Sequence, residues 1–468
     1  MIAAFKEAPD SLEELVTVRV DVAELGMSHR RGWERCGIGE NLAFSTARME
    51  SYFFARWEPA LYDALLVAAA VEFCDRTQRR PARGWGREFE LRVPVHEPER
   101  WNRSDVLGAL HEALSFLTGD RWRLRFYGRG QPQSAPVQGL FDLGSCVAAV
   151  IPFSDGLDSR AVAGLAAREL GDRLVRVRLG SKEFSGSKLS RRRQPFTAVP
   201  YEVRPGARSF VESSARSRGF KFALISGLAA YLAGGGRVIV PESGQGALGP
   251  ALVSVGQACP DYRNHPLFTQ RMEAFLLALL GHRVRFEYPR VWYTKGETLA
   301  EFMRECEDAP ASWAATRSCW QQNRHVSVDH KARQCGICAA CLLRRMSVHA
   351  AGLAEPATTY VWEDLGAAAF QGGAAEGFDR RKITGAMREY AIAGALHLDH
   401  LAGLRHSRLN ARPLGLHAVQ LARACGLSEA DTRARLDRLL SQHEKEWRNF
   451  MDSLGPTSFL TDWVLSGQ

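Results

Sequence analysis

The chain has 468 residues, 46% hydrophobic and 24% charged, enough for two or three domains with sizeable cores and unlike a disordered or fibrous polymer. Lys and Arg number 61 against 52 Asp and Glu, a formal charge of +9; basic patches such as Arg191 to Arg193 suit nucleotide phosphates but do not by themselves imply nucleic acid. The opening MIAAFKEAPDSLEELV has no secretory apolar core, and the longest apolar run, near Phe220 to Ala233, is broken by Lys221 and Ser226, so a cytoplasmic protein without membrane contact is expected.

Residues 1–145 contain the alternating stretches LVTVRVDV, EFELRVPV and WRLRFYG and the amphipathic run DVLGALHEALSFL. This pattern predicts an N-terminal α+β domain with an antiparallel sheet. The next segment, VAAVIPFSDGLDSRAVAGLAARELG, begins with seven mostly apolar residues, Val147 to Phe153, suited to a strand buried on both faces. From Arg160 the apolar positions Val162, Leu165, Ala166 and Leu170 recur at helical spacing. Strand, tight loop and helix follow one another. The free amides and positive dipole end of such a helix favour an anion, and Ser154 and Ser159 add hydroxyl donors. A Ser/Asp helix cap without a ligand fits the same residues.

Strand-like runs at Arg173 to Leu179, Phe196 to Val203, Arg237 to Pro241 and Arg283 to Tyr288 alternate with helix-like segments near Ser213 to Ala233 and Leu267 to Leu280. Right-handed crossovers then predict a parallel sheet with helices on both faces and a cleft at the strand carboxyl ends. The loop Pro241 to Gly246 opens onto that edge or serves as a Gly-rich connector.

Six of the ten cysteines, Cys36, Cys74, Cys146, Cys259, Cys306 and Cys425, are scattered and read as ordinary thiols. Cys335, Cys338 and Cys341 form two overlapping C-x2-C pairs, with Cys319 upstream. Four thiolates satisfy a tetrahedral structural zinc, with Gly336 turning the knuckle; His325 and His330 are possible substitutes for Cys319. Residues 351–468 read as a helical C-terminal region. Within it HAVQLARACGLSEADTRARLDRLLSQH suits either a packed helical hairpin or a helix-turn-helix, with Ser428 as a cap.

The stretch Ser154-Asp155-Gly156-Leu157-Asp158-Ser159 resembles the Ser-Gly-Gly-x-Asp-Ser pyrophosphate loop of the PP-loop ATP pyrophosphatases. Ser154, Gly156, Asp158 and Ser159 match, and Asp155 stands where the first glycine is usual. Three roles fit this acid: turning away to cap the helix, helping hold Mg2+ on the nucleotide, or attenuating ATP chemistry by repelling phosphate. With the cysteine pattern, RSRGF (Arg216 to Phe220), YTKGETLAEF (Tyr293 to Phe302) and SCW at Cys319, residues 146–350 resemble the QueC (7-cyano-7-deazaguanine synthase) family. They are especially similar to its long, defence-associated forms of the QatC type. The spacing from Cys319 to Cys335 is wider than in ordinary members.

The resemblance implies a Rossmann-like α/β domain using ATP, Mg2+ and Zn2+. It implies adenylation of a 7-deazaguanine-like carboxylate, release of pyrophosphate and attack by an amine, either ammonia or one on a protein partner, in an anti-phage setting. Ser154, Asp155, Gly156, Leu157, Asp158, Ser159 and Arg218 are then the ATP-binding residues, and Ser154, Asp158, Ser159 and Lys295 the catalytic ones. Lys295 on a solvated helix start and Glu297 as a favourable first-turn acid are the plainer alternatives. Two other functions compatible with the loop are tRNA modification by another PP-loop enzyme and nucleotide binding by a non-catalytic subunit of a defence complex.

Overall fold

The computed structural model describes residues 17–45, 58–81, 85–131, 147–179, 199–206, 209–212, 216–256, 258–321 and 325–466. The opening segment, Cys146, Phe196 and the cluster at Arg191 to Arg193 lie outside the described residues.

The N-terminal part contains β1 (Thr17–Ala23), β2 (Glu34–Gly37), β3 (Leu42–Phe44), α1 (Pro59–Thr77), β4 (Glu88–Val95), α2 (Ser104–Thr118) and β5 (Arg121–Gly128). Its main sheet has the order β2-β1-β4-β5, and every neighbouring pair is parallel. The expected antiparallel sheet is therefore corrected. Alternation reports which face of a strand is buried, not its direction, and here α1 and α2 return the chain so that β1, β4 and β5 run the same way. Val20, Val22, Phe89, Leu91, Trp122 and Phe126 face the helices. The opposite face is closed by ion pairs, Asp21 with Arg92, Glu90 with Arg19 and Arg125, and Glu88 with Arg123.

The second sheet is built from β6 (Ala149–Pro152), α3 (Leu157–Leu170), β7 (Leu174–Val177), β8 (Tyr201–Val203), α4 (Arg218–Leu232), β9 (Arg237–Ile239), α5 (Pro266–Leu280) and β10 (Arg285–Glu287). Its order is β10-β9-β6-β7, all parallel, as expected. β8 is the exception: it leaves this sheet and pairs antiparallel with β3, clasping the N-terminal part. Val150, Val175 and Val238 pack toward α4 and α5. Ala149, Ile151, Leu174 and Ile239 pack toward α3, so the strands are buried on both faces.

The helical layers over the two sheets pack on one another in one apolar core that includes Phe73, Leu110, Phe220 and Phe275. A buried lattice of Arg80 and Arg87 with Asp75 and Asp120 reinforces the junction. Asp75 also accepts the Ser217 amide, at 2.9 Å, just ahead of α4.

The remaining chain supplies α6 (Lys295–Glu305), α7 (Ala339–Ala350), α8 (Gly385–Gly403), α9 (Ala411–Cys425), α10 (Glu429–Leu454) and α11 (Phe459–Ser466). Phe302 of α6 packs so closely on α3 that a side chain at Gly164 would overlap it. As expected, the C-terminal region is mostly helical. Gly426, with φ +66°, ends α9, and the Ser428 hydroxyl accepts the Asp431 amide at the start of α10. Leu436, Leu439 and Leu440 of α10 share a core with Ala418 and Leu421 of α9 and with Ala247, Leu248 and Val291. The pair is thus a packed helical hairpin seated on the central sheet's loops. Among the described residues no helix is long and apolar enough to cross a membrane.

Candidate active site

β6 and β9 lie side by side at the point where strand order reverses, which places the loops after them at the usual ligand edge of an open α/β sheet. The loop after β6 is tied by its own hydroxyls. Ser159 Oγ accepts the Ser154 amide at 2.8 Å, and Ser154 Oγ accepts the Gly156 amide at 3.2 Å. Gly156 is extended and precedes α3, so Leu157, Asp158 and Ser159 form the first helical turn, whose amides have no intrahelical acceptor. Arg160 and Arg176 both stand over the Phe153 ring, surrounding the loop with positive charge. Asp155 does not cap the helix: its carboxylate turns to Arg178 at 2.8 Å, just beyond β7. Its carbonyl accepts the Arg317 amide at 2.7 Å.

Asp158 and Lys295 meet beneath this loop. Lys295 Nζ is 2.8 Å from Asp158 Oδ2, and Ser243 Oγ donates to the same oxygen at 3.3 Å. Lys295 is only 8% exposed, so it is not on a solvated helix start. Burial opposes the charge on Asp158, but Lys295 and the surrounding hydrogen bonds outweigh it and hold the carboxyl below its ordinary range. Burial likewise opposes the Lys295 charge, and Asp158 with Glu242 overcomes it, raising the ammonium.

Glu242 faces Asp158 from the loop after β9. Burial and then the Asp158 charge push Glu242 well above the carboxylate range, so Glu242 carries the proton between the two acids. That proton supplies a donor to Asp158, whose buried Oδ1 otherwise has none among the described residues. Asn264 donates to Glu242 at 2.8 Å. Arg218 is exposed at the start of α4, and Arg263 lies within electrostatic reach of both it and Glu242. A surface hollow of 650 Å³ lined by Arg100, Arg103, Leu277 and Leu280 involves none of these groups.

The four clustered cysteines converge. Their sulfurs lie within 4.8 Å of one another, and Cys335 and Cys341 sulfurs are 3.7 Å apart. A tetrahedron with Zn–S bonds of about 2.3 Å has edges of about 3.8 Å, so the donor set fits zinc. Amides of Gln321 and Cys335 point at Cys319 Sγ, and those of Cys338 and Cys341 at the preceding sulfurs, Cys335 and Cys338. Gly336 has φ +86°, and a Cβ there would lie 2.9 Å from the Trp362 carbonyl. His325 and His330 are not in the cluster.

Comparison with known proteins agrees with this geometry. The family model described as Queuosine biosynthesis protein QueC matches residues 253–352. A protein named 7-cyano-7-deazaguanine synthase, from Azoarcus sp. (strain BH72), is 30% identical over 208 residues, 42% of this chain and 76% of that relative. The chain belongs to the QueC family. No solved structure matches it significantly.

The matched QueC segment holds Lys295 and all four cysteines. The contacts that secure Lys295 reach far beyond it. The Lys295 amide donates to Gln245 Oε1 at 2.8 Å, and Gln245 Nε2 donates to His443 Nδ1 of α10 at 2.8 Å. Thr294, the cap of α6, donates to Glu446 Oε1 at 2.6 Å while accepting the Glu297 amide. Glu297 thus does more than sit favourably in a first turn: it completes a capping box and pairs with Arg438 of α10. Arg178, Glu242, Gln245, His443 and Glu446 are all missed by sequence reasoning as individual site residues. Only Glu242 and Gln245 carried a signal, lying in a polar loop after a buried strand.

Proposed function

We propose that this QueC-family chain is an ATP-dependent carbon-nitrogen ligase acting on a 7-deazaguanine-type carboxylate. The observation that supports it best is the Asp158–Lys295 pair at 2.8 Å, set under a hydroxyl-tied loop at the sheet's reversal point. A carboxylate oxygen attacks the α-phosphorus of ATP, the bond to the bridging oxygen breaks, and pyrophosphate leaves. An amine nitrogen then attacks the acyl carbon, AMP departs with the C–O electron pair, and the amine proton passes to solvent.

The residues have distinct tasks in this reading. First-turn amides from Leu157 to Ser159 and the hydroxyls of Ser154 and Ser159 hydrogen-bond the departing pyrophosphate. Gly156 allows close backbone approach. Lys295 donates one hydrogen bond to Asp158 and offers its other N–H groups to phosphate oxygens, with Arg218 neutralising charge at the rim. Asp158, the charged acid of the pair, would furnish a carboxylate oxygen for Mg2+ on the nucleotide, which would screen phosphate charge. Zinc on Cys319, Cys335, Cys338 and Cys341 is structural. Asp155, held by Arg178, belongs to the loop without facing phosphate.

The setting we assign is cytoplasmic and, by likeness to the long family forms, anti-phage. Residues 1–145 and 351–468 flank the ATP-binding portion, 146–350, and present a protein amine as acceptor in place of ammonia. Incubation with ATP and 7-carboxy-7-deazaguanine tests the chemistry: pyrophosphate should form only with the carboxylate, and AMP should match it once an amine is added. Turnover independent of the carboxylate, or none, would overturn this reading. Mass spectrometry of co-purifying proteins identifies the acceptor by its added deazapurine mass.

A further inference from the structure

We infer that α10 is the positioning element of the nucleotide site: Glu446 and His443 hold the first turn of α6, and through it the Lys295 side chain, against Asp158. The inference rests on the reading above that Lys295 meets ATP phosphate. It concerns a helix outside the QueC family-model match.

The contacts form two relays. In the first, His443 Nε2 lies 2.9 Å from the Leu398 carbonyl, so that nitrogen carries the proton and donates. Nδ1 is left to accept from Gln245 Nε2, which turns Gln245 Oε1 toward the Lys295 amide. Burial lowers His443 to about 4, keeping the ring neutral as this relay requires. In the second, Glu446 Oε1 receives both the Thr294 hydroxyl at 2.6 Å and Gln442 Nε2 at 3.0 Å. Arg438 adds a third hold on α6 through Glu297.

Two further observations show the fit is specific. A Cβ at Gly296 would stand 3.2 Å from both Glu446 carboxylate oxygens, so the glycine lets the acid sit over the first turn. At the other side, the Leu439 side chain occupies the space beside Gly244, where a Cβ would lie 2.5 Å away. With Phe302 seated on Gly164 of α3, α6 is held at both ends. With the turn held, Lys295 keeps its ammonium 2.8 Å from Asp158, a fixed geometry of the kind transition-state positioning needs.

The test uses the full chain as wild type, Glu446→Gln and Glu446→Ala, each with and without Lys295→Ala. ATP affinity is measured by calorimetry and amide exchange by mass spectrometry. Glu446→Ala should weaken ATP binding by about tenfold, and Glu446→Gln, which keeps an acceptor for Thr294, should recover it. In the Lys295→Ala background the Glu446 substitution should add nothing. Exchange at residues 294–298 and 244–247 should rise by about tenfold in Glu446→Ala while that of β6 stays unchanged. Additive losses of affinity, or unchanged exchange at residues 294–298, overturn the positioning role. Absence of ATP binding in the wild type would instead refute the nucleotide reading and leave the exchange result to judge α10.

Discussion

Glu446 and Thr294, 152 positions apart in the chain, share a 2.6 Å hydrogen bond at the start of the helix that carries Lys295. Burial, followed by the nearby charge of Glu297, pushes the Glu446 carboxyl up to about 7, against the opposing hydrogen bonds from Thr294 and Gln442. Because the folded value exceeds the unfolded one, the native state holds the extra proton between roughly pH 4.5 and 7. The Glu446 contribution to stability is complete below that window and is lost as pH rises through it. Urea unfolding from pH 4.5 to 8 should therefore show Glu446→Gln gaining on wild type by up to about 3 kcal/mol, with the gain levelling off above pH 7. Parallel pH profiles would count against it.

Zinc removal should reach beyond the knuckle. Cys335, Cys338 and Cys341 share a core with Trp362, Leu398, Trp447, Phe450 and Trp463, which belong to the C-terminal region. Metal analysis should find about one zinc per chain, and Cys338→Ser with Cys341→Ser should abolish it. Loss of metal should also loosen α8, α10 and α11, seen as faster amide exchange there. Unchanged exchange in α10 would confine the metal's influence to the cysteine segment.

Arg178 should act as the keeper of Asp155. Their 2.8 Å ion pair turns the acid from the helix start. Arg178→Ala removes the positive charge paired with Asp155 beside the loop after β6 and should weaken ATP binding by about three- to tenfold, with Arg178→Ala/Asp155→Gly restoring it. Failure of the double variant to recover would show that Arg178 acts on ATP itself.

The buried Arg80, Arg87, Asp75 and Asp120 lattice joins the N-terminal part to the start of α4. Replacing Asp75 by Ala removes a partner from two buried guanidiniums and from the Ser217 amide. The expected loss is about 3–5 kcal/mol, measured by denaturant unfolding. Deleting residues 1–130 should expose the α4 and α5 face and give aggregated protein, because Phe220 and Phe275 lose the layer that covers them.

What could be read beforehand was local. The run from Val147 to Phe153, the hydroxyl-rich turn and the cysteine spacing each need only neighbouring residues, and each became the structure expected. Strand direction in the first sheet was not local, because the same alternation of Val and Arg in β1 serves parallel and antiparallel partners alike. The candidate site divides the same way. Asp158 and Lys295 were visible through the motifs around them, whereas His443 and Glu446 sit in a stretch whose pattern announces an amphipathic helix and nothing more. Their partners exist only once the chain has folded back.

That fold-back sets an order of events during synthesis. The loop after β6, the Asp158 carboxyl and Lys295 all leave the ribosome before α10, whose His443 and Glu446 hold the turn that carries Lys295. A nascent or prematurely ended chain would carry the loop without its brace. Such a fragment would hold Lys295 less firmly against Asp158 than the folded chain does.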